Sequence, residues 1–183
     1  TRYLRPGMFI DTHAHLYHKQ FDPDRESMLQ RALDAGVKKL FLPNIDLDSM
    51  EGMDALAAAH PEHCFAMMGL HPCSVGKNND RAMQVMEERL RTGRYCAVGE
   101  IGIDLYWDRT WIAQQQEVFR QHVRWAKELD LPVVIHCRNS FAETIAIVEE
   151  ENAQGLRGVF HCFTGTPEEA RRIIALEGFV LGI

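Results

Sequence analysis

Short apolar segments alternate with amphipathic segments along the whole chain. Residues 39–43, for example, contain two leucines and a phenylalanine. A later segment carries Phe119, Val123 and Ala126 at helical spacing. Short apolar runs are typical of strands buried on both faces, and the three- to four-residue spacing is typical of amphipathic helices. The pattern predicts six strand–helix units in succession, followed by a seventh strand at 179–183.

Capping signals separate several of these predicted elements. Asp48 with Glu51 three residues later predicts the start of the second helix. Thr166 and Glu169 form a full capping box around Pro167 at the first helical position. We therefore expect helices to begin at these points.

Strands that alternate regularly with helices form a parallel sheet, which is either an open, doubly wound sheet or a closed (β/α) barrel. No glycine-rich G-x-G-x-x-G turn follows the first strand, and this weakens the nucleotide-binding open sheet. Barrel enzymes carry their chemistry at the carboxyl ends of many strands. Ionisable residues end strands one, three, four, five and six: His13, His15, His71, Glu100, His136 and His161. The sequence therefore predicts an α/β protein with a (β/α)8 TIM barrel.

The number of predicted strands is smaller than a closed barrel requires. Such a barrel has eight strands and typically about 250 residues, whereas this chain has 183. We expect a single TIM-barrel hydrolase domain over residues 1–183 that is truncated after strand seven, with the region of strand eight absent. Because folded proteins avoid an exposed edge strand, we expect either that the chain belongs to a longer gene product or that its missing portion comes from elsewhere. Residues 1–7 are expected to be an extension before a natural start at Met8.

Composition narrows the class of protein. An apolar fraction of 46% and a charged fraction of 25% are those of a globular protein. Five cysteines without a C-x-x-C pair predict small core residues in a reducing compartment, so we expect the cytoplasm. A net charge of −6 argues against a large sequence-independent footprint on nucleic acid. We see no secretory signal and no apolar run long enough to span a bilayer, so we expect no membrane association.

The first strand runs into three ionisable residues at every second position. Side chains alternate faces on a strand, so Asp11, His13 and His15 are expected to emerge on one side. Two imidazoles, with Asp11 behind them to fix a ring, would form half of a metal site. The alternative is a solvated strand end with two surface histidines. The later strand ends favour the metal site, and imidazole with carboxylate suits zinc, manganese or iron.

Four histidines and a glutamate are more ligands than one catalytic ion needs, since such sites keep an open position. We expect Glu100 to bridge two divalent ions through its two oxygens. His13, His15 and Glu100 are expected to hold the first ion. Glu100, His136 and His161 are expected to hold the second. Two such ions can clamp both the attacking and the leaving oxygen of a displacement at phosphorus.

Other residues near the strand ends are candidates for substrate contact. Arg138 lies two residues after His136, so on a strand both side chains point to the same side. Its guanidinium is expected to bind a phosphate through two hydrogen bonds. His71 is expected either to contact substrate or to orient a neighbour. Asp104 is expected to support a ligand. Tyr106 and Trp107 either stack on a base or cover the barrel rim.

The remaining histidines and strand-end cysteines are expected to have structural roles. Cys137 and Cys162 each follow a strand-end histidine by one residue, so their side chains should point to the opposite face of the strand. There they should face the surrounding helices as small buried residues. Surface or packing roles are expected for His18, His60, His63 and His122.

Five motifs, taken in order, resemble the TatD family of metal-dependent deoxyribonucleases. They are FIDTHAH (9–15), GLHP (69–72), GEIGID (99–104), HCR (136–138) and FHCFTG (160–165). The resemblance runs from about Phe9 to Ile183. It implies an amidohydrolase-like barrel with two divalent ions, magnesium typically and manganese also, that hydrolyses phosphodiesters, often as a 3′-to-5′ exonuclease on DNA.

The resemblance also implies roles for individual residues. Glu100, Arg138 and His71 are expected to act in catalysis, in which water activated by two metals attacks phosphorus and Arg138 steadies the phosphate. Single-stranded DNA is the expected substrate, without an obligate protein partner. The family carries an aspartate after the last barrel strand that binds metal and activates the water, and no residue of this sequence matches it.

Two other functions compete with the nuclease. One is a small-molecule amidohydrolase, such as a deaminase, lactonase or phosphotriesterase. Many of those enzymes bridge their ions with a modified lysine at the end of strand four, where this chain has Glu100. The other is an inactive, truncated metal-binding form. The glutamate favours the nuclease.

Overall fold

A computed structural model of the protein describes residues 8–152 and 155–183. The expected extension at residues 1–7 lies outside the described residues. Strands and helices alternate along the chain in the order β1 (Phe9–Asp11), α1 (Arg25–Asp34), β2 (Val37–Pro43), α2 (Leu47–Ala59), β3 (Cys64–Met67), α3 (Asp80–Leu90), β4 (Val98–Asp104), α4 (Ile112–Glu128), β5 (Val133–Arg138), α5 (Phe141–Glu151), β6 (Gly158–Phe160), α6 (Pro167–Ile174) and β7 (Phe179–Leu181). Short 3₁₀ helices cover Lys19–Phe21 and Pro72–Ser74.

The strands are parallel and follow one another in chain order. One sheet has the order β1-β2-β3 and the other β4-β5-β6-β7. A parallel bridge between Met68 and Val98 joins the two sheets, and the Gly99 N–H donates to the Met68 carbonyl at 3.0 Å. Consecutive parallel strands separated by helices are the arrangement of a (β/α) barrel. Among the described strands β1 and β7 do not pair with each other, so the barrel is open along this edge.

One helix cap differs from the prediction. Helix α2 begins after Asp46, whose Oδ1 accepts the Ser49 N–H at 2.9 Å while Ser49 Oγ accepts the Asp46 N–H at 2.9 Å. The prediction that Asp48 starts this helix was wrong, because Asp46 and Ser49 already form a capping box that begins two residues earlier in the chain. The Thr166–Glu169 capping box is confirmed, with both reciprocal bonds present.

The core is formed by apolar side chains from both sheets and the helices packed on them. The predicted face of α4 is confirmed, since Phe119, Val123 and Ala126 have no exposed surface. Strand β4 is buried along its entire length. Its fully buried Ile101 and Ile103, each stabilising the fold by about 1.5–3 kcal/mol, offset the cost of burying Glu100 and Asp104 on either side of them.

The cysteines differ in exposure. All five are free: Cys64 is buried, Cys96 and Cys137 are partly buried, and Cys73 and Cys162 are exposed. The prediction of a buried Cys162 was wrong, because β6 ends at Phe160 and Cys162 adopts a left-handed φ of 46°. The alternation of side chains along a strand therefore does not extend to Cys162.

Two expectations about the whole chain stay predictions, namely the single-domain boundaries and the cytoplasmic location. In residues 8–152 and 155–183, no helix is both long enough and apolar enough to cross a bilayer.

Candidate metal centre

The two histidines after β1 lie beyond the end of the strand. Between them, the buried Ala14 donates its N–H to the Phe41 carbonyl of β2 at 2.9 Å. This bond ties the segment between the two histidines to β2 after β1 has ended at Asp11. The imidazoles of His13 and His15 consequently meet, with their Nε2 atoms 3.2 Å apart.

The carboxylate of Glu100 lies at the centre of the group and is only 3% exposed. Its Oε2 is 3.0 Å from His13 Nε2 and 3.7 Å from His15 Nε2. Its Oε1 is 2.9 Å from His136 Nδ1 and 3.7 Å from His71 Nε2. Each oxygen therefore faces two imidazoles.

Local irregularity in β4 positions this carboxylate. The pairing of β4 with β5 shifts register between Gly99 and Ile101, so Glu100 has no partner in that register. Gly102 has a φ of +137°, and a Cβ at this position would lie 2.0 Å from the His136 carbonyl oxygen. Only glycine permits this approach of the two strands, which brings Glu100 and His136 together.

Glu100 is held as a carboxylate. Burial by itself would raise the pKa of Glu100, but hydrogen bonds from His13 and His136, with further attraction from His71, hold that pKa well below its usual range. A buried negative charge is therefore available at the centre of the imidazoles.

Three of the imidazoles have lowered pKa values, which favours their neutral form. Burial lowers the pKa of His71 to about 4. Burial, then the neighbouring His13, lowers the pKa of His161 to about 4 and also lowers the pKa of His15. A neutral imidazole has a free nitrogen lone pair, which metal ligation requires.

His136 lies between two carboxylates. Its Nδ1 faces Glu100, and its Nε2 lies 2.8 Å from Asp104 Oδ2. Burial opposes the charged form of His136, but the hydrogen bonds to Glu100 and Asp104 raise its pKa. Asp104 is only 2% exposed, and its backbone exchanges two bonds with the side chain of Gln115, at 2.9 and 3.2 Å. Helix α4 thus anchors the carboxylate that orients His136.

Arg138 is stacked on the two aromatic residues that follow β4. Its guanidinium carbon lies 4.3 Å from the ring centroid of Tyr106 and 5.3 Å from that of Trp107. Its Nε is 3.4 Å from Asp104 Oδ2. The rings are 55% and 73% exposed, so a cation and two aromatic faces border solvent beside the histidines.

His71 and His161 make different contacts at the group. The His71 Nδ1 accepts the N–H of Cys73 at 3.1 Å. The ring of His161 is stacked on that of His13, with a centroid distance of 3.5 Å.

Asp11 contacts the backbone. Its exposed Oδ1 accepts the N–H of His13 at 3.1 Å. That Asp11 orients an imidazole stays a prediction.

The described residues contain two groups that could hold a metal ion. The ligand atoms lie within 4.8 Å of one another in His13, His15 and Glu100, and likewise in His71, Glu100 and His136. The first group has the membership predicted from the sequence, whereas the second contains His71 where His161 was expected. Nitrogen and oxygen donors around an ionised carboxylate fit divalent cations.

The residues predicted from the sequence did not include two residues of the centre. Tyr17 is 4% exposed, and its hydroxyl is 2.8 Å from His15 Nδ1 and donates to the Pro43 carbonyl. The signal was available, because Tyr17 continues the alternation of His13 and His15.

Asn44 is the second missed residue, and it has no exposed surface. Its carbonyl accepts the Glu100 N–H at 3.3 Å, and its Nδ2 donates to the Gly69 carbonyl at 2.9 Å. It therefore supports both Glu100 and the segment leading to His71. A polar residue at the end of the second strand was the available signal.

Comparison with known proteins identifies the relatives of this chain. The family model described as TatD related DNase matches residues 10–183. YabD of Bacillus subtilis, named an uncharacterized metal-dependent hydrolase, is 31% identical over 173 residues, which cover 94% of this chain and 68% of YabD. The protein named 3′-5′ ssDNA/RNA exonuclease TatD of Cronobacter sakazakii is 34% identical over 174 residues, which cover 95% of this chain and 65% of that protein.

A solved structure has the same fold. The crystal structure of YjjV, a TatD homolog from Escherichia coli K12, matches with a TM-score of 0.89 and 32% identity, covering 98% of this chain and 69% of YjjV. The predicted TIM-barrel class is thereby confirmed. This chain spans about two thirds of the length of these relatives.

Proposed function

The chain belongs to the family of TatD-related DNases and is a metal-dependent hydrolase acting on ester bonds; from this we propose that it removes nucleotides from the 3′ end of single-stranded DNA. A relative at 34% identity is named a 3′-5′ ssDNA/RNA exonuclease, and this supports nucleic acid as the substrate. The observation that carries the proposal is the buried Glu100 carboxylate, each oxygen of which faces two imidazoles.

Two divalent ions are proposed at this carboxylate. His13, His15 and Glu100 would hold the first, and Glu100, His136 and His161 the second. Magnesium or manganese is proposed for activity, and zinc or iron also suits these donors. Such ions, when bound, supply Lewis acidity toward phosphate oxygens and lower the pKa of water.

Proton positions favour His161 over His71 as a ligand. Because His71 Nδ1 accepts the Cys73 N–H, a neutral His71 carries its proton on Nε2, the atom that faces Glu100. That nitrogen is a donor without a free lone pair. We assign His71 the role of donating this hydrogen bond to a substrate oxygen.

Asp104 and Arg138 would order the substrate side of the centre. Asp104 accepts from His136 Nε2, so the proton that an ion would displace from His136 is the one on Nδ1, which faces Glu100. Arg138 presents a planar cation for a phosphate. The outer faces of Tyr106 and Trp107 remain available to stack on a base.

A single digestion series tests the proposal. A 5′-end-labelled single-stranded DNA oligonucleotide is incubated with the chain in Mg²⁺ or Mn²⁺, with an EDTA control and a parallel RNA oligonucleotide. We expect a ladder that shortens from the 3′ end and disappears in EDTA. Glu100→Gln should lower the rate by at least about 10²-fold, since it removes the shared charge.

Glu151→Gln is the matched control. Glu151 is a 9% exposed carboxylate that pairs with Arg124 and Lys127 between α4 and α5, and its substitution should leave cleavage unchanged. If the chain hydrolyses esters or lactones and cleaves neither nucleic acid, the nuclease proposal is wrong and the small-molecule hydrolase takes its place. Cleavage that persists undiminished in Glu100→Gln would refute the two-ion centre.

A further inference from the structure

The two ring nitrogens of His15 face different surroundings. Its Nε2 points into the centre, 3.2 Å from His13 Nε2 and 3.7 Å from Glu100 Oε2. Its Nδ1 points away from the centre, 2.8 Å from the hydroxyl of Tyr17. The protonation of one nitrogen therefore decides what the other can do.

The Pro43 carbonyl determines the direction of these bonds. A carbonyl oxygen only accepts, so the single proton of the Tyr17 hydroxyl is donated to Pro43. The phenolic oxygen then has only lone pairs to offer, and His15 Nδ1 must be the donor. In a neutral imidazole with the proton on Nδ1, the Nε2 lone pair is free and faces Glu100.

We propose that Tyr17 is a positioning residue that holds His15 in the Nδ1–H tautomer and so presents its Nε2 to a divalent cation. This inference rests on the metal centre proposed above. A hydrogen-bond acceptor behind a ligating histidine orients the ring and increases its basicity. Here the acceptor is a phenol bound to a strand-end carbonyl, and it adds no charge to the centre.

Elements around Tyr17 hold it in place. Its backbone carbonyl accepts from the Arg25 guanidinium at 3.1 Å. On α2, a Cβ at Gly52 would lie 3.4 Å from the Tyr17 carbonyl oxygen and 3.8 Å from Tyr17 Cβ, so the helix packs closely against the backbone and Cβ of Tyr17. Within the described residues His13 has no equivalent support, since its buried Nδ1 lacks a hydrogen-bond partner. Tyr17 therefore distinguishes His15 from the other histidine of the pair.

Metal binding by the metal-free chain tests the proposal. Isothermal titration with Mn²⁺ should give a dissociation constant about 10–100-fold weaker for Tyr17→Phe than for the wild type. Tyr95→Phe is the matched control. Tyr95 is also 4% exposed, but its hydroxyl binds Asp54 at 3.0 Å, away from the histidines. Its removal should leave Mn²⁺ affinity unchanged.

Nitrogen NMR of the imidazoles measures the tautomer of His15 in the wild-type chain. This measurement does not depend on whether Tyr17→Phe folds. In the metal-free wild type, the His15 signal, assigned by its loss in His15→Gln, should show a protonated Nδ1 and an unprotonated Nε2. The opposite tautomer, or an unchanged Mn²⁺ affinity in folded Tyr17→Phe, would overturn the role of Tyr17. Absence of Mn²⁺ binding by the wild type would overturn the metal centre instead, and the tautomer would still decide the Tyr17–His15 bond.

Discussion

The ring of His13 lies flat on the ring of His161, with centroids 3.5 Å apart and planes 11° from parallel. The contact joins the segment after β1 to the segment after β6, which are far apart in the chain. Burial, then the neighbouring His13, lowers the pKa of His161 to about 4. A neutral His161 therefore lies beside the centre with a lone pair to offer.

Paired alanine variants separate the roles of His161 and His71. His161→Ala should abolish one of two Mn²⁺ equivalents, because it removes a ligand. His71→Ala should keep both equivalents and lower kcat on an oligonucleotide by about 10–10³-fold, because only a hydrogen bond to substrate is lost. Titration calorimetry and steady-state kinetics measure the two effects. Loss of an equivalent in His71→Ala, with none in His161→Ala, would exchange the two assignments.

Removing the Asn44 side chain should destabilise the fold. Asn44 Nδ2 donates to the carbonyls of Gly69 and Asp46 at 2.9 and 3.0 Å, and its Oδ1 accepts from Ser49 at 3.1 Å. Asn44→Ala removes all three bonds from a fully buried position and leaves the buried Gly69 carbonyl without this donor, so it should lower the free energy of unfolding by about 2–4 kcal/mol. Urea denaturation measures it. The exposed Asn78 serves as the control, and a loss in Asn44→Ala no larger than in Asn78→Ala would contradict the network.

Arg138→Lys should weaken substrate binding. Lysine keeps the charge but loses the planar group that stacks on Tyr106 and Trp107 and matches a phosphate. We expect KM for a single-stranded oligonucleotide to rise about 5–10-fold, equivalent to about 1–1.4 kcal/mol. Arg124→Lys, which changes an arginine paired with Glu151 away from the site, should leave KM unaltered. Equal KM values for both variants would remove Arg138 from substrate binding.

Stability should fall in acid through His122 of α4. This histidine has no exposed surface, and its Nε2 accepts the Leu70 N–H at 3.3 Å, next to His71. Burial lowers its pKa from 6.5 to about 4. The unfolded chain therefore takes up this proton as the pH falls below about 6.5 and the folded chain only near 4, so the free energy of unfolding decreases across that window and levels off below it.

The contribution of His122 is measured by difference, because burial also lowers the pKa of His71 and His161 to about 4. His122→Gln removes the titrating group and should flatten the pH dependence of the free energy of unfolding by up to about 3 kcal/mol across the window. Denaturation at several pH values measures both proteins. Parallel pH profiles would mean that His122 does not contribute.

The sequence by itself determined the order of elements and indicated four of the residues that meet in the centre. Apolar periodicity reports which face each segment buries, and that information is local, so the alternation of strands and helices could be read directly. Parallel strands in a barrel bring their carboxyl ends together. His13, His15, Glu100 and His136 could therefore be grouped before any distance was known.

Tertiary structure decided how these residues are connected. The Tyr17–His15 bond, the Cys73 amide on His71 and the contact of His13 with His161 depend on loop conformations that residue spacing leaves open. The Asn44 network links three strand ends, and the shift of register beside Glu100 arises only when β4 packs on β5. The contacts of Tyr17 and Cys73 set which ring nitrogen carries a proton in His15 and in His71. Residue types defined the chemistry available, and packing assigned the role of each histidine.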